Sequence, residues 1–256
     1  DVRVSTLPNR ASERVVMRIL DKESAGISLD LLGMSPNTHA ILTDALSEPN
    51  GIILVTGPTG SGKTTTLYAG LKQLNDGSRN ILTVEDPVEY AIEGIGQTQV
   101  NAKVGLTFAA GLRAILRQDP DVVMIGEIRE HETMEDVLEF SDTGHLCLAT
   151  LHANSASQVF ERIVHMFPQE KRELLRYSLS QNIKAVISQV LVPAKGGGRA
   201  VAVEMLVATS RVRDLSRRGD FTELAGVMEK DTNSGMCPMD QSLYLLYADG
   251  TTPDET

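Results

Sequence analysis

Two spacings of apolar residues alternate along the chain, one of two residues and one of about 3.6, and they predict its elements. Val2 and Val4 alternate with Arg3 and Ser5, and a second apolar run, ERVVMRIL at 13–20, follows the turn NRAS. That is a strand–turn–strand signature. Two strands alone make a marginal sheet, so residues 1–24 are expected to be the last strands of an N-terminal sheet domain. From Gly26 to Asn50 the spacing turns helical, with Ser35 as a cap, Pro36 at the first helical position, and Ile41, Leu42 and Leu46 behind it. Apolar runs then recur at 51–56, 80–85, 121–127 and 145–151, separated by helical stretches at 64–74 and 106–118. Short apolar runs that alternate with helices predict an α/β fold with a mostly parallel sheet, whose ligands collect at the carboxyl ends of the strands. A long helix is expected to open the stretch from Pro168 to Val192, with Leu174, Leu175, Leu179, Ile183 and Val186 as a packing stripe. VISQVLVP and RAVAVEMLV flank KGGG and read as a β-hairpin. Shorter helices follow, and the polar residues 248–256 are expected to be disordered.

The first strand of this alternating series, GIILVT, runs directly into GPTGSGKT at 57–64. Gly57, Gly60 and Gly62 allow a concave backbone nest whose N–H groups point at phosphate oxygens. Lys63 adds a positive charge for the β- and γ-phosphates, and the Thr64 hydroxyl can take one coordination position of Mg²⁺. Pro58, Thr59, Ser61 and Thr65 complete the stretch that would surround the phosphates, and the helix after it turns its positive N-terminal end toward them. The motif lies between a predicted strand and a predicted helix, the context it requires, so it reads as a nucleotide phosphate site.

Composition narrows the partners. The formal net charge is −10, aromatic residues make up 4%, and there is no Trp. A base-stacking platform is poorly supplied and no basic run occurs, which argues against nucleic acid. Cys147 and Cys237 lie far apart without metal-ligand spacing, as expected of idle thiols in a reducing compartment. With no signal peptide and no apolar stretch of membrane-spanning length, a cytoplasmic location is expected, with any membrane connection made through a partner.

The acids and histidines at the predicted strand ends come next. Glu85, Asp86 and Glu89 follow one run, Glu127 closes another, and His152 follows a third that His145 opens. An acid at such a position can reach Mg²⁺ directly or through water, and a second can polarise the attacking water. Glu89 on a loop also serves solubility, and His145 fits a structural histidine as well.

GPTGSGKT, VEDPVEY, LRAILRQDPDVVMIGEIRE and TGHLCLATLHAN, in this order and at these spacings, resemble the four signature blocks of the secretion ATPase superfamily. That family includes the type II secretion ATPases and the type IV pilus extension and retraction motors. The blocks correspond to its Walker A motif, aspartate box, Walker B motif and histidine box, and the resemblance covers nearly all of residues 1–247. Residues up to about Arg129 are most similar to type II secretion ATPases, and the later part is most similar to accessory pilus retraction ATPases. The four-cysteine zinc module common in the former is missing. The resemblance implies an ATPase with ATP and Mg²⁺ as cofactors. Lys63 and Thr64 would bind phosphate and metal, Glu89 would be the general base, Glu127 would act in the Walker B role, and His145 and His152 would sense the γ-phosphate. It also implies a RecA-like domain at 25–247 preceded by a PAS-like domain, assembled as a homo-hexameric ring. Arg3 and Arg14 match the positions from which such rings send arginines to the nucleotide; solvated strand-edge residues are the equal alternative. The implied partners are an inner-membrane platform protein of a pilus or type II secretion system and a paralogous motor ATPase. A nucleotide-holding subunit that does not hydrolyse is the alternative function.

Overall fold

The computed structural model describes residues 2–10, 12–19 and 28–253. Strands β1 (Val2–Pro8) and β2 (Glu13–Ile19) pair antiparallel as a sheet of their own, with Val4 opposite Met17 and Leu7 opposite Arg14. Val4, Leu7, Val15, Val16 and Met17 are exposed on it.

Helix α1 (Pro36–Leu46) starts where its sequence predicts: the Ser35 hydroxyl accepts from the Thr38 N–H at 3.2 Å, and Pro36 needs no donor at that position. The chain then alternates through β3 (Gly51–Thr56), α2 (Lys63–Leu74), β4 (Ile81–Glu85), β5 (Gly96–Gln99), α3 (Phe108–Ile115), β6 (Val122–Ile125), α4 (His131–Asp142) and β7 (Leu146–Leu151). Helices α5 (Ala156–Met166) and α6 (Arg172–Asn182) lead to β8 (Ile183–Pro193) and β9 (Arg199–Val207). Helices α7 (Ser210–Arg218), α8 (Leu224–Lys230) and α9 (Met239–Ala248) close the described chain.

The seven strands of the main sheet lie in the order β5-β4-β6-β7-β3-β8-β9, and every pairing is parallel except that of β8 with β9. Both faces are covered. Ile52 and Leu54 of β3 pack toward α3 to α8, while Ile53 and Val55 pack toward α1 and α2. A strand buried on both faces has no solvent side, which is why its sequence is an uninterrupted apolar run. Burial on both sides also makes β3 rigid at the point where the phosphate loop begins.

Three expectations need correction. The helix expected to open at Pro168 ends at Asn182, and Ile183 and Val186 belong to β8, paired with β3. Asn182 is the reason: its amide donates to Asp142 Oδ1 at 2.6 Å and accepts from the Ser141 hydroxyl at 2.9 Å, pinning the helix end to α4. The β-branched run beyond it suits a strand better than a helix. Leu174 accordingly leaves the packing stripe and is 71% exposed. The polar edge strand β5, GQTQ, has no apolar alternation to announce it. Of the tail expected to be disordered, residues 249–253 are packed: the Lys195 N–H donates to the Thr251 carbonyl at 2.8 Å, and Thr252 is 3% exposed. The N–H groups of Thr251 and Thr252 both reach the Leu246 carbonyl, which ties this segment to the end of α9. Residues 20–27 and 254–256 lie outside the described residues.

Candidate nucleotide site

At the carboxyl end of β3 the chain turns through Gly57 with φ 135°, a value that favours glycine. A Cβ there would stand 2.2 Å from the Gln189 carbonyl oxygen, so only glycine fits. Pro58, Thr59 and Gly60 are exposed, Ser61 is buried, and Gly62 with φ 87° caps α2 at its N-terminus. The Lys63 ammonium donates to the carbonyls of Gly57 and Pro58, both at 2.9 Å, and so lies across the loop. Burial holds its pKa below the ordinary value, and the Glu127 carboxylate offsets part of that shift. Thr64 presents its side chain at the surface on the first turn of α2, with Thr65 half-buried beside it.

Glu127 stands two residues beyond β6 and faces an imidazole and a guanidinium. His152 Nε2 lies 3.1 Å from one oxygen and Arg129 lies 2.5 Å from the other. The pairing raises the Arg129 pKa. Backbone bonds place both ends of this contact. The Ile128 N–H donates to the Thr150 carbonyl at 2.9 Å, and the Thr150 hydroxyl donates to the Gly126 carbonyl at 2.5 Å, fastening the Glu127 segment to β7. On the other side, the Thr56 hydroxyl accepts from the Ala153 N–H at 2.8 Å, fixing His152 against the end of β3. An open cleft of about 550 Å³ lies beside the loop, lined among others by Gly57, Pro58, Thr59, His152, Asn154 and Arg162.

Glu85 and Glu89 stand in different surroundings. Glu85 is buried and accepts from Tyr68, from Thr83 at 2.6 Å and from Gln97 at 3.2 Å, the pattern of an anchored structural carboxylate. Burial and this carboxylate push the Tyr68 pKa up. The Tyr68 oxygen in turn receives the Glu89 N–H at 3.2 Å, so the exposed Glu89 side chain rides on a buried support. Among the described residues no group of three His, Cys, Asp or Glu could hold a metal ion by itself.

A model of the family described as "Type II/IV secretion system protein" matches residues 1–231. The chain belongs to that family. Among its relatives, type II secretion system protein E of Pseudomonas aeruginosa is 58% identical over 192 residues, covering 75% of this chain and 37% of that protein. Type II secretion system ATPase E of Vibrio cholerae is 54% identical over the same length and coverage. This secretion-family chain therefore spans little more than a third of those relatives' length. The solved pilus retraction motor PilT with bound ADP superposes with a TM-score of 0.86 at 36% identity, over 99% of this chain and 72% of that one. The Legionella pneumophila ATPase DotB gives 0.83 at 27%, over 99% and 70%.

Within this secretion-family fold, Lys63, Glu127 and His152 share one end of the sheet, and His145 does not join them. His145 opens β7 at the opposite end, where its carbonyl accepts from Gly51 at 3.1 Å, and its ring contacts Thr143, Phe140 and the Phe140 carbonyl. Six residues of strand place it about 20 Å from the phosphate loop, because a strand rises about 3.3 Å per residue. Strand polarity decides this: a residue before a parallel strand and a residue after it face opposite edges. Arg14 is exposed on the separate two-stranded sheet, and Arg3 lies on that sheet opposite Arg18. Arg129 sits in the same block as Glu127 and was not singled out there. Tyr68, Gln189 and Glu204 carried no motif signal and are buried polar residues inside apolar stretches. Glu204 accepts from the Ala156 N–H at 2.6 Å, where α5 starts after His152. A polar residue inside an apolar run is the signal that could have found them.

Proposed function

We propose that this chain binds ATP with Mg²⁺ and hydrolyses it, coupling loss of the γ-phosphate to movement in a pilus or type II secretion machine. The observation that carries the reading is the meeting of three strand ends: the phosphate loop with Lys63 after β3, Glu127 after β6 and His152 after β7. The likeness to a retraction motor solved with ADP supports an adenine nucleotide. Mg²⁺ takes only one or two protein ligands beside phosphate oxygens and water, so the exposed Thr64 hydroxyl and the Glu127 carboxylate are a sufficient set. The metal when bound would neutralise charge on the β- and γ-phosphates. Glu89 accepts the proton of the attacking water. His152, hydrogen-bonded to Glu127, links the acid to the γ-phosphate position, so its contact would change when that phosphate leaves.

Residues 25–247 form the motor domain in this reading, and residues 1–24 belong to an N-terminal sheet domain that brings Arg3 and Arg14 to a neighbouring subunit's nucleotide in a homo-hexamer. The ring works in the cytoplasm against an inner-membrane platform protein, alongside a paralogous motor ATPase.

The test is Mg²⁺-dependent phosphate release from ATP as a function of protein concentration, with Lys63→Ala as control. Specific activity that climbs with concentration is expected, because active sites are shared between subunits. ATP bound without release at any concentration would leave only a nucleotide-holding subunit. Undiminished ATP affinity in Lys63→Ala would sink the phosphate site itself.

A further inference from the structure

A glycine-rich loop can offer its N–H groups to a phosphate only if its peptide planes are held, and its own residues are poor at holding them. Pro58, Thr59 and Gly60 are exposed, and glycine accepts many backbone conformations. The support comes from β8. Gln189 is 1% exposed in the middle of the apolar run VISQVLV. Its Nε2 donates to the Ser61 carbonyl at 2.6 Å, and its Oε1 accepts from the Thr66 hydroxyl at 2.9 Å. Its backbone carbonyl is packed against Gly57, and its Nε2 would stand 3.2 Å from a Cβ on Gly62. One residue thus touches the loop where it begins, in its middle, and where it becomes α2.

We infer that Gln189 is the positioning residue of the phosphate loop, setting the Ser61 peptide and the first turn of α2 in the arrangement that receives phosphate. The inference rests on the reading of residues 57–64 as a nucleotide site. The chemistry is selective for an amide. The Ser61 carbonyl can only accept, so its partner must donate; the Thr66 hydroxyl donates to an acceptor on the same group. Glutamate lacks the donor when ionised, and methionine has no donor and only a weak sulfur acceptor. A buried amide with no partners would be costly in a strand core, and here both partners belong to the nucleotide side of the sheet.

The experiment measures binding of labelled ADP and ATP to the whole chain, wild type and variants, at temperatures where circular dichroism reports each one folded. Gln189→Met is expected to weaken ADP and ATP by the same factor, about 10-fold, because the support acts on the loop and not on the γ-phosphate. Thr66→Val, which removes one of the two bonds, should weaken both by about 3-fold, and it tests the inference should Gln189→Met fail to fold. Gln189→Glu provides a readout that mere packing would not move. Ionised, it repels the Ser61 carbonyl; protonated, it regains a donor and an acceptor, so it becomes a near copy of the amide. Its affinity relative to Gln189→Met should therefore recover as pH falls from about 8 to about 5.5. If all three variants bind ADP within twofold of wild type while Lys63→Ala loses it, Gln189 is only core and the inference fails, with the phosphate site intact. If the wild type binds no ADP, or Lys63→Ala binds it equally well, the site reading falls and this inference with it.

Discussion

A carboxylate that touches an imidazole and a guanidinium at the same time has its charge engaged before substrate arrives, and Glu127 is in that position between His152 and Arg129. Such an acid is suited to orient a metal's water or to report on a phosphate. Glu89 is exposed, and its main chain is anchored on Tyr68. In the proposed reaction, Glu89→Gln should keep ATP affinity and lower turnover by at least about 100-fold, the usual scale for losing a general base. Glu127→Gln should instead weaken Mg²⁺-dependent ATP binding as well as turnover. Binding titrations paired with single-turnover phosphate release separate the two. Normal turnover in Glu89→Gln would move the base to Glu127. At this scale the sequence was readable for position where a polar residue follows an apolar run, as with Glu127 and His152. It was unreadable where a polar side chain looks inward from such a run, as with Gln189, since nothing local says which loop it will meet. His145 was misread for a related reason: its spacing from His152 is visible in sequence, but the direction of the strand between them sets which edge each one faces.

Elements were legible according to how unambiguous their period was. The runs that became β3, β4, β6 and β7 are mostly apolar, and turn or cap residues bound them. From Pro168 onward, apolar spacing suits a helix and the continuing strand about equally well over a short window, so the join could not be placed by periodicity. The join is a tertiary contact. Asn182 closes α6 by bonding to Asp142 and Ser141 of α4 and to the Ser178 carbonyl at 3.1 Å. Asn182→Ala leaves the buried Ser141 hydroxyl without its acceptor, and should lower unfolding free energy by about 2 kcal/mol. Urea unfolding would measure it; a loss below about 0.5 kcal/mol would mean that the β8 pairing alone sets the boundary. The packed segment after α9 escaped the reading for a similar cause. Its composition is that of a loose tail, but two backbone N–H groups find the Leu246 carbonyl and Thr252 is buried.

At the scale of the molecule, fold class was the most legible property, because alternation of strand and helix signals needs no knowledge of contacts. What holds the two layers together follows from burial on both sides of the sheet. Cys147 is buried within the larger apolar layer and Cys237 within the other, and burial pushes both thiols up from their ordinary pKa. A thiol reagent should therefore label neither cysteine at neutral pH until the sheet opens, so labelling against urea concentration should follow the loss of circular dichroism. Labelling of Cys147 well before that loss would show that the layer around β7 opens on its own. The central place of β3 has one more consequence. Its partners are β7 and β8, and the loop that follows it leans on a glutamine 128 positions later. On the ribosome, the glycine-rich motif is therefore translated long before that glutamine. At about 5–20 residues per second the wait is several seconds or more. On the inference that Gln189 positions the loop, a ribosome stalled short of β8 should display the whole motif without that support.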